Sequence, residues 1–371
     1  MEKPPLIWFN VILFSSTLLA TLILVPWYQY AVGFDLLIIG CAVASLFFCG
    51  LSITAGYHRL WSHRTYQAHW SVRLVFAIGG AFAIQNSALH WSSDHRIHHK
   101  FVDNNDKDPY SAKRGFWYSH MGWMLRHYNI ATYDDYSNVR DLQKDPIVMW
   151  QHKYYALLAL LTNAGFILVL GWLTDAMLAS LIAVGFTRLV LSHHFTFFIN
   201  SWAHMWGNQP YTDKNTAKDN WLLAIFTHGE GYHNFHHIFE MDYRNGIKWY
   251  HYDPTKWLIV LLSWCGLTTK LRVTPQQKIE QAKLAMILQR TQQKLALRQD
   301  AEELKLKLLA EYEQLVAKLN QFYALRKQLF EDRKRQLLKE YDKTALKAQI
   351  KELKQAIELQ RKDWLTLANF A

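Results

Sequence analysis

The sequence predicts an all-α integral membrane protein with four transmembrane helices and, beyond them, a long C-terminal helical region of coiled-coil or hairpin type. Three observations predict it. Four apolar runs are long enough to span a bilayer. The 371 residues include only 16 Gly and 8 Pro, with no glycine after Gly266 and no proline after Pro275. Charge is segregated, residues 275–371 holding 20 Lys+Arg against 13 Asp+Glu in a chain of net charge +11. A composition 51% apolar and 15% aromatic excludes a disordered or low-complexity chain. The mean hydropathy of -0.11 averages two unlike regions.

A hydrocarbon core about 30 Å thick takes roughly 20 residues of helix, a length met by residues 6–28, 34–55, 154–173 and 176–199. The first run lacks a small-residue cleavage site and reads as a retained anchor, not a signal peptide. Arg188, His193 and His194 interrupt the fourth, and polar groups at membrane depth face a protein interior or a functional site. The connectors Trp27–Phe34 and Gly171–Asp175 contain no Lys or Arg. The positive-inside rule puts them on the outer side, which places the N-terminus, residues 56–153 and everything after about 200 in the cytoplasm. Residues 72–90 form a further apolar run, but Arg73, Gln85 and Asn86 interrupt it. A crossing there would also separate His58 from His95, so an in-plane helix is expected. Of Cys41, Cys49 and Cys265, two lie in apolar runs, which argues for reduced thiols over disulfides.

Thr274-Pro275-Gln276-Gln277 reads as a helix start, with Thr274 as the cap and Pro275 at the first helical position. Leu308, Leu315, Leu319, Phe322 and Leu329, then Leu346, Ile350, Leu353, Ile357 and Trp364, form heptad-like seams. Unbroken, the helix would reach up to about 145 Å. Its apolar seams require pairing, within the chain by a turn near 340–345 where Asp342 and Thr344 would cap a second helix, or between chains by self-association.

Chemistry is concentrated in the 18 histidines. His58 and His63 stand in an H-x4-H pattern; His95, His98 and His99, and again His233, His236 and His237, stand in H-x-x-H-H. On a helix the latter spacing puts three imidazoles on one face. Neutral imidazole is a metal ligand. Eight or more exceed the three or four that one zinc would use, so two metals are implied, and a nitrogen-rich site with open positions suits iron and oxygen chemistry. No nucleic-acid partner is expected.

The three boxes with their flanks, Thr54-Ala55-Gly56-Tyr57-His58-Arg59-Leu60-Trp61-Ser62-His63, Asp94-His95-Arg96-Ile97-His98-His99 and Gly229-Glu230-Gly231-Tyr232-His233-Asn234-Phe235-His236-His237, closely resemble those of the membrane-bound Δ9 acyl-CoA desaturases of the stearoyl-CoA type. The resemblance covers about residues 6–270 and implies a four-helix membrane stalk with a cytosolic helical cap holding two Fe2+ ions. It adds Asn200 and His204, in Asn200-Ser201-Trp202-Ala203-His204, as a water-mediated and a direct ligand. It assigns Gln85, Trp91 and Thr196 to the bend of an acyl tunnel, Asn86 and Asp94 to the CoA head group, and Leu46 and Gly50 to the tunnel floor, where a small residue at 50 would leave room for long chains. One arginine the family offers to CoA is Ser93 here. Lys100, Lys107, Lys113 and Arg114 provide a basic surface near the second box.

The reaction implied converts a saturated long-chain acyl thioester, acyl-CoA, and O2 into a cis-mono-unsaturated product. No haem-binding H-P-G-G occurs in the sequence, so electrons are expected from a separate protein of ferredoxin, cytochrome b5 or flavoprotein type. The other nine histidines read as structural, with His193 and His194 the nearest to the site. The competing readings are a related di-iron hydroxylase of fatty acids or alkanes, and a membrane scaffold acting through the C-terminal region.

Overall fold

A computed structural model describes residues 4–128, 135–297, 301–334 and 340–370. They are mostly helical and divide into two compact units, Met1–Gln209 with Lys214–Val273, and Pro210–Asp213 with Thr274–Ala371.

In the first unit four helices are long and apolar enough to cross a membrane: Trp8–Ala31 (α1), Leu36–Ser62, Tyr155–Thr174 and Met177–Met205. No charge interrupts α1, and its Phe9, Leu19, Leu22 and Ile23 are exposed, as lipid-facing side chains must be. Its two threonine hydroxyls are satisfied internally, Thr17 donating to Leu13 O at 2.7 Å and Thr21 to Thr17 O at 2.9 Å. The second candidate span opens on a cap, Asp35 accepting from Leu37 N at 2.6 Å. It runs as an α-helix over Leu36–Leu51 (α2) and continues as a π-helix over Ser52–Ser62. In that wider coil His63 N donates to His58 O at 3.1 Å, so two histidines five apart lie on successive turns of one wall.

The run read as one in-plane helix over 72–90 is two helices, Trp70–Phe82 (α3) and Ala88–Phe101 (α4). Ile84 and Asn86 adopt left-handed φ of 51° and 70° between them. Side chains from elsewhere take up the backbone groups freed by the break. His193 Nε2 donates to Ala83 O at 3.1 Å and Ile84 O at 3.0 Å. Tyr57 OH donates to Asn86 O at 3.1 Å, and Tyr155 OH accepts from Asn86 N at 2.9 Å. Ser87 then caps α4. A short antiparallel pair, Gln67–Ala68 with Thr268–Thr269, ties the end of the π-helical segment to the chain that follows helix Pro254–Trp264.

Within the fourth candidate span Arg188 is fully buried. Its guanidinium donates to Val184 O at 3.0 Å, Phe82 O at 2.9 Å, Cys49 Sγ at 3.6 Å and Asn163 Oδ1, and lies 4.2 Å from the Phe82 ring. Among the described residues all these partners are neutral.

In the second unit three helices, Gln276–Leu295 (α6), Glu302–Lys334 (α7) and Glu340–Phe370 (α8), pack around Leu284, Leu288, Leu308, Leu315, Ile357 and Trp364. Trp364 Nε1 donates to Leu308 O at 3.1 Å. Three points differ from the sequence reading. The first helix begins at Gln276 with Pro275, not Thr274, in the cap position. The described residues of 275–371 form three helices, where the sequence left open one unbroken helix or a hairpin of two. The backbone of residues 342 and 344 lies inside α8, so neither is a cap, and the connection before it, 335–339, lies outside the described residues.

Candidate metal centre and acyl cavity

The histidines come together on short, well-anchored elements. Ser87 Oγ accepts from His90 N at 3.3 Å and starts α4, so His95, His98 and His99 share a face. Helix His233–Ile238 (α5) is anchored by Asp219, whose carboxylate accepts from Phe235 N at 3.0 Å. His58 comes from the π-helical segment, His63 follows it, and His204 comes from the end of the fourth candidate span.

The nine imidazoles sort into two groups: His58, His63, His95, His99 and His236, and His98, His204, His233 and His237, with the potential ligand atoms of each group within 4.8 Å of one another. Each H-x-x-H-H triplet is split. In α4 the i, i+4 pair His95 and His99 joins the first group and His98 the second; in α5 the pair His233 and His237 joins the second group and His236 the first. Inside the groups the Nε2 atoms face one another, at 2.9 Å for His58 and His236, 2.8 Å for His63 and His95, 3.0 Å for His99 and His236, 3.1 Å for His204 and His233, and 3.0 Å for His233 and His237.

The opposite nitrogens are held from behind. His58 Nδ1 lies 2.9 Å from Glu230, His98 Nδ1 2.9 Å from Asp108, and His99 Nδ1 3.2 Å from Glu240. His204 Nδ1 meets Thr216 Oγ1 at 2.9 Å, and His95 Nδ1 meets Tyr110 OH at 3.3 Å. A proton held on Nδ1 leaves the Nε2 lone pair pointing inward. Burial, reinforced by neighbouring imidazoles, pushes the pKa of His95, His233, His236 and His237 well below the usual histidine value. Burial brings His99 to about 4 in spite of Glu240. These rings are therefore neutral. Converging lone pairs less than about 3.2 Å apart repel unless a cation or a shared proton lies between them, and one proton serves only one pair. His98 Nε2, buried without a hydrogen-bond partner among the described residues, has the same need. The residues fit two metal ions, one in each group.

Glu230 is the most constrained of the anchors. Its carboxylate accepts from Arg59 at 2.8 and 3.1 Å and from Asn245 at 2.6 Å. Burial pushes its pKa up, but Arg59 and His58 outweigh that and hold it at about 2. Glu230, Asp108, Glu240, Thr216 and Tyr110 are not among the site residues expected from the sequence. Glu230 and Glu240 flank the third box by three residues on either side, and the requirement that a metal-bound imidazole donate its other N–H makes such carboxylates findable. Thr216 has no such signal.

A cavity of about 800 Å3 opens onto the first group at His58 and His95. Gln85, Asn86, Trp91, Asp94, Thr196 and Asn200 all line it. Trp91 stacks on His95 with ring centroids 4.8 Å apart, and Gln85 Nε2 donates to Thr196 Oγ1 at 2.9 Å. Burial raises the Asp94 carboxyl above its ordinary value, with His90, 3.4 Å away, opposing it. Leu46 and Gly50 do not line this cavity. They bound a separate void of about 10 Å3 that shares Thr54, Thr196 and Ile199 with it. Ser93 faces away, donating to Asn138 Oδ1 at 2.8 Å. Lys100, Lys107, Lys113 and Arg114 lie outside the cavity lining, with Arg114 3.6 Å over the Tyr118 ring. His193 supports the backbone at the α3–α4 break, and His194 pairs with His120 at 2.9 Å; neither joins a metal group.

A sequence model of the family described as "Fatty acid desaturase" matches residues 34–260. "Acyl-CoA desaturase 1" of Saccharomyces cerevisiae is 44% identical over 294 residues, 78% of this chain and 55% of its own length. "Probable acyl-CoA desaturase" of Schizosaccharomyces pombe is 45% identical over 236 residues, 63% of this chain and 48% of its own. "Stearoyl-CoA desaturase 5" of Bos taurus is 35% identical over 293 residues, 76% of this chain and 84% of its own. The chain spans about half the length of the two fungal relatives.

Proposed function

The chain belongs to the fatty acid desaturase family, and from that premise we propose that it is an O2-dependent di-iron desaturase placing a cis double bond, at Δ9, in a saturated long-chain acyl thioester, acyl-CoA. The observation that carries this reading is a long cavity opening at His58 and His95 onto one of two groups of inward-facing imidazoles. The ligands are His58, His63, His95, His99 and His236 for one iron and His98, His204, His233 and His237 for the other, with Asn200 acting through water.

An alkyl chain offers no acidic or basic handle, so bound iron supplies the oxidising chemistry and the protein supplies position. Gln85, bonded to Thr196, shares the cavity wall with Trp91. A chain bent there presents two adjacent carbons to the metal side in an eclipsed conformation, which is the origin of cis geometry. Asp94 and Asn86, at the same cavity, meet the head group, and the basic residues from Lys100 to Arg114 meet phosphate. Each turnover takes O2, two electrons and two protons and releases two waters, the other two electrons and two hydrogens coming from the acyl chain. A separate donor protein delivers the electrons. The histidine groups and both termini lie on the cytoplasmic side, with residues 1–270 as the desaturase domain bearing a cytosolic cap and 275–371 as a coiled-coil or hairpin extension through which the chain can self-associate.

The test is expression in cells lacking their own desaturase, with fatty-acid analysis by gas chromatography and mass spectrometry and metal analysis of the purified protein. Mono-unsaturated acids with two irons per chain are expected. Hydroxylated acids, one metal per chain, or zinc in protein made with iron and no zinc excess would overturn the reading.

A further inference from the structure

We propose that the His228 imidazole is the floor of the acyl cavity and sets how long a chain the protein accepts; the inference rests on the desaturase reading above. The expectation that the missing side chain at position 50 leaves room for substrate is corrected by the packing. A Cβ at Gly50 would lie 2.1 Å from His228 Cε1 and 2.5 Å from its Nδ1, so the ring itself occupies the space over Gly50. The ring lines a void of about 10 Å3 together with Leu46, Gly50 and Phe226, which is about the size of one water probe. That void shares Thr54, Thr196 and Ile199 with the large cavity. A chain passing the Gln85–Thr196 bond toward α2 therefore ends against His228.

The ring is fixed in place. It packs edge-on against Phe47 with centroids 5.1 Å apart. Its backbone carbonyl accepts from Thr255 Oγ1 at 2.8 Å, and Thr255 Oγ1 meets Thr54 Oγ1 at 2.7 Å, tying the floor to the second candidate span. His228 holds a left-handed φ of 54°, which rotation of the side chain alone does not relieve. Burial lowers its pKa to about 4, so a neutral ring closes an apolar channel without a counter-charge.

The test compares mono-unsaturated products of wild type, His228→Ala, His228→Gly and His228→Gly/Gly50→Val in cells lacking their own desaturase, with the membrane-bound amount of each measured by blot. Glycine accepts the left-handed φ, so His228→Gly removes the ring without backbone strain. The ratio of longer to shorter products should rise by about fourfold for each methylene the opened space takes in, and refilling it from position 50 should bring the ratio back to within about twofold of wild type. An unchanged ratio in both single variants overturns the proposal, as does a shift that the double variant fails to reverse. Single variants present in the membrane but inactive, or both absent from it, also overturn it, because a floor is removable without loss of chemistry or fold. A wild type that forms no mono-unsaturated acid defeats the desaturase reading itself; an active wild type with unchanged variants defeats only the floor.

Discussion

Glu230→Gln isolates what one buried carboxylate contributes to one metal group. Glu230 accepts from Arg59 and Asn245 and lies 2.9 Å from His58 Nδ1. With its pKa at about 2, it is ionised at every working pH. Glutamine keeps the shape but replaces one acceptor oxygen with an NH2, which then faces a group that also donates. Removing such a partner from a metal-bound imidazole weakens metal binding by about 10- to 100-fold, or roughly 1.4 to 2.8 kcal/mol. The effect should be confined to the five-histidine group, because the other group is held by Asp108 and Thr216. Folding should suffer less than the roughly 3–5 kcal/mol of a fully broken buried pair, since Arg59 keeps Asp253 at 3.0 Å. The assay is iron per chain, by mass spectrometry, after equilibration with graded chelator. Glu230→Gln should release one iron at a chelator concentration about 10- to 100-fold lower than wild type and keep the second; Asp108→Asn should weaken the other group instead. Release of both irons together at the wild-type concentration would refute the reasoning.

His98→Ala and His236→Ala should each leave less than about a tenth of wild-type turnover while membrane-bound protein is undiminished, because insertion of the four apolar helices needs no metal; retained turnover would remove either residue from the ligand set. A histidine whose folded pKa is depressed stays neutral in the fold while the unfolded chain takes up a proton, so stability is full above the unfolded value and falls with pH. For His99 that window runs from 6.5 down to about 4, and thermal melting of the metal-free protein should be flat above it and drop within it; a flat profile throughout would count against burial of the neutral ring. A chain ending after residue 274 should still bind two irons and desaturate with saturating donor, but lose self-association or donor coupling; light scattering that gives it the same oligomeric state and an unchanged donor dependence would contradict the assigned role of the extension.

The histidine groups were legible because their logic is local: spacing of three and four on a helix fixes which imidazoles share a face, and nine histidines exceed the three or four that one zinc would use. How the triplets divide between groups was not, since it depends on how α4 and α5 face each other. The polar Gln85, Asn86 and Ser87 did not by themselves mark a break, because an in-plane helix also carries polar residues, and the support given at Ile84 and Asn86 by His193 and Tyr155 comes from distant sequence. The π-helical segment Ser52–Ser62 was likewise invisible, because nothing in its composition separates it from an α-helix. Gly50 was misread for a related reason: a glycine reports that something approaches closely, not whether that is substrate or, as here, His228. In the C-terminal unit the seam residues Leu308, Leu315, Ile357 and Trp364 do share one core, but heptad spacing carries no information on where a glycine-free chain turns.

Arg188 bears on how such a chain is made. An arginine at the centre of a membrane helix opposes insertion by about 2.5–3.5 kcal/mol, and among the described residues this one has no carboxylate partner to offset it. Its solvation shell is instead contributed by Cys49, Phe82 and Asn163, all of which precede it in the chain. During synthesis in the N-to-C direction, every group that will receive the guanidinium, Val184 O included, is made before residue 188. The groups that receive Arg188 thus precede it in the chain, and the order of these elements in the sequence allows their assembly in the same order.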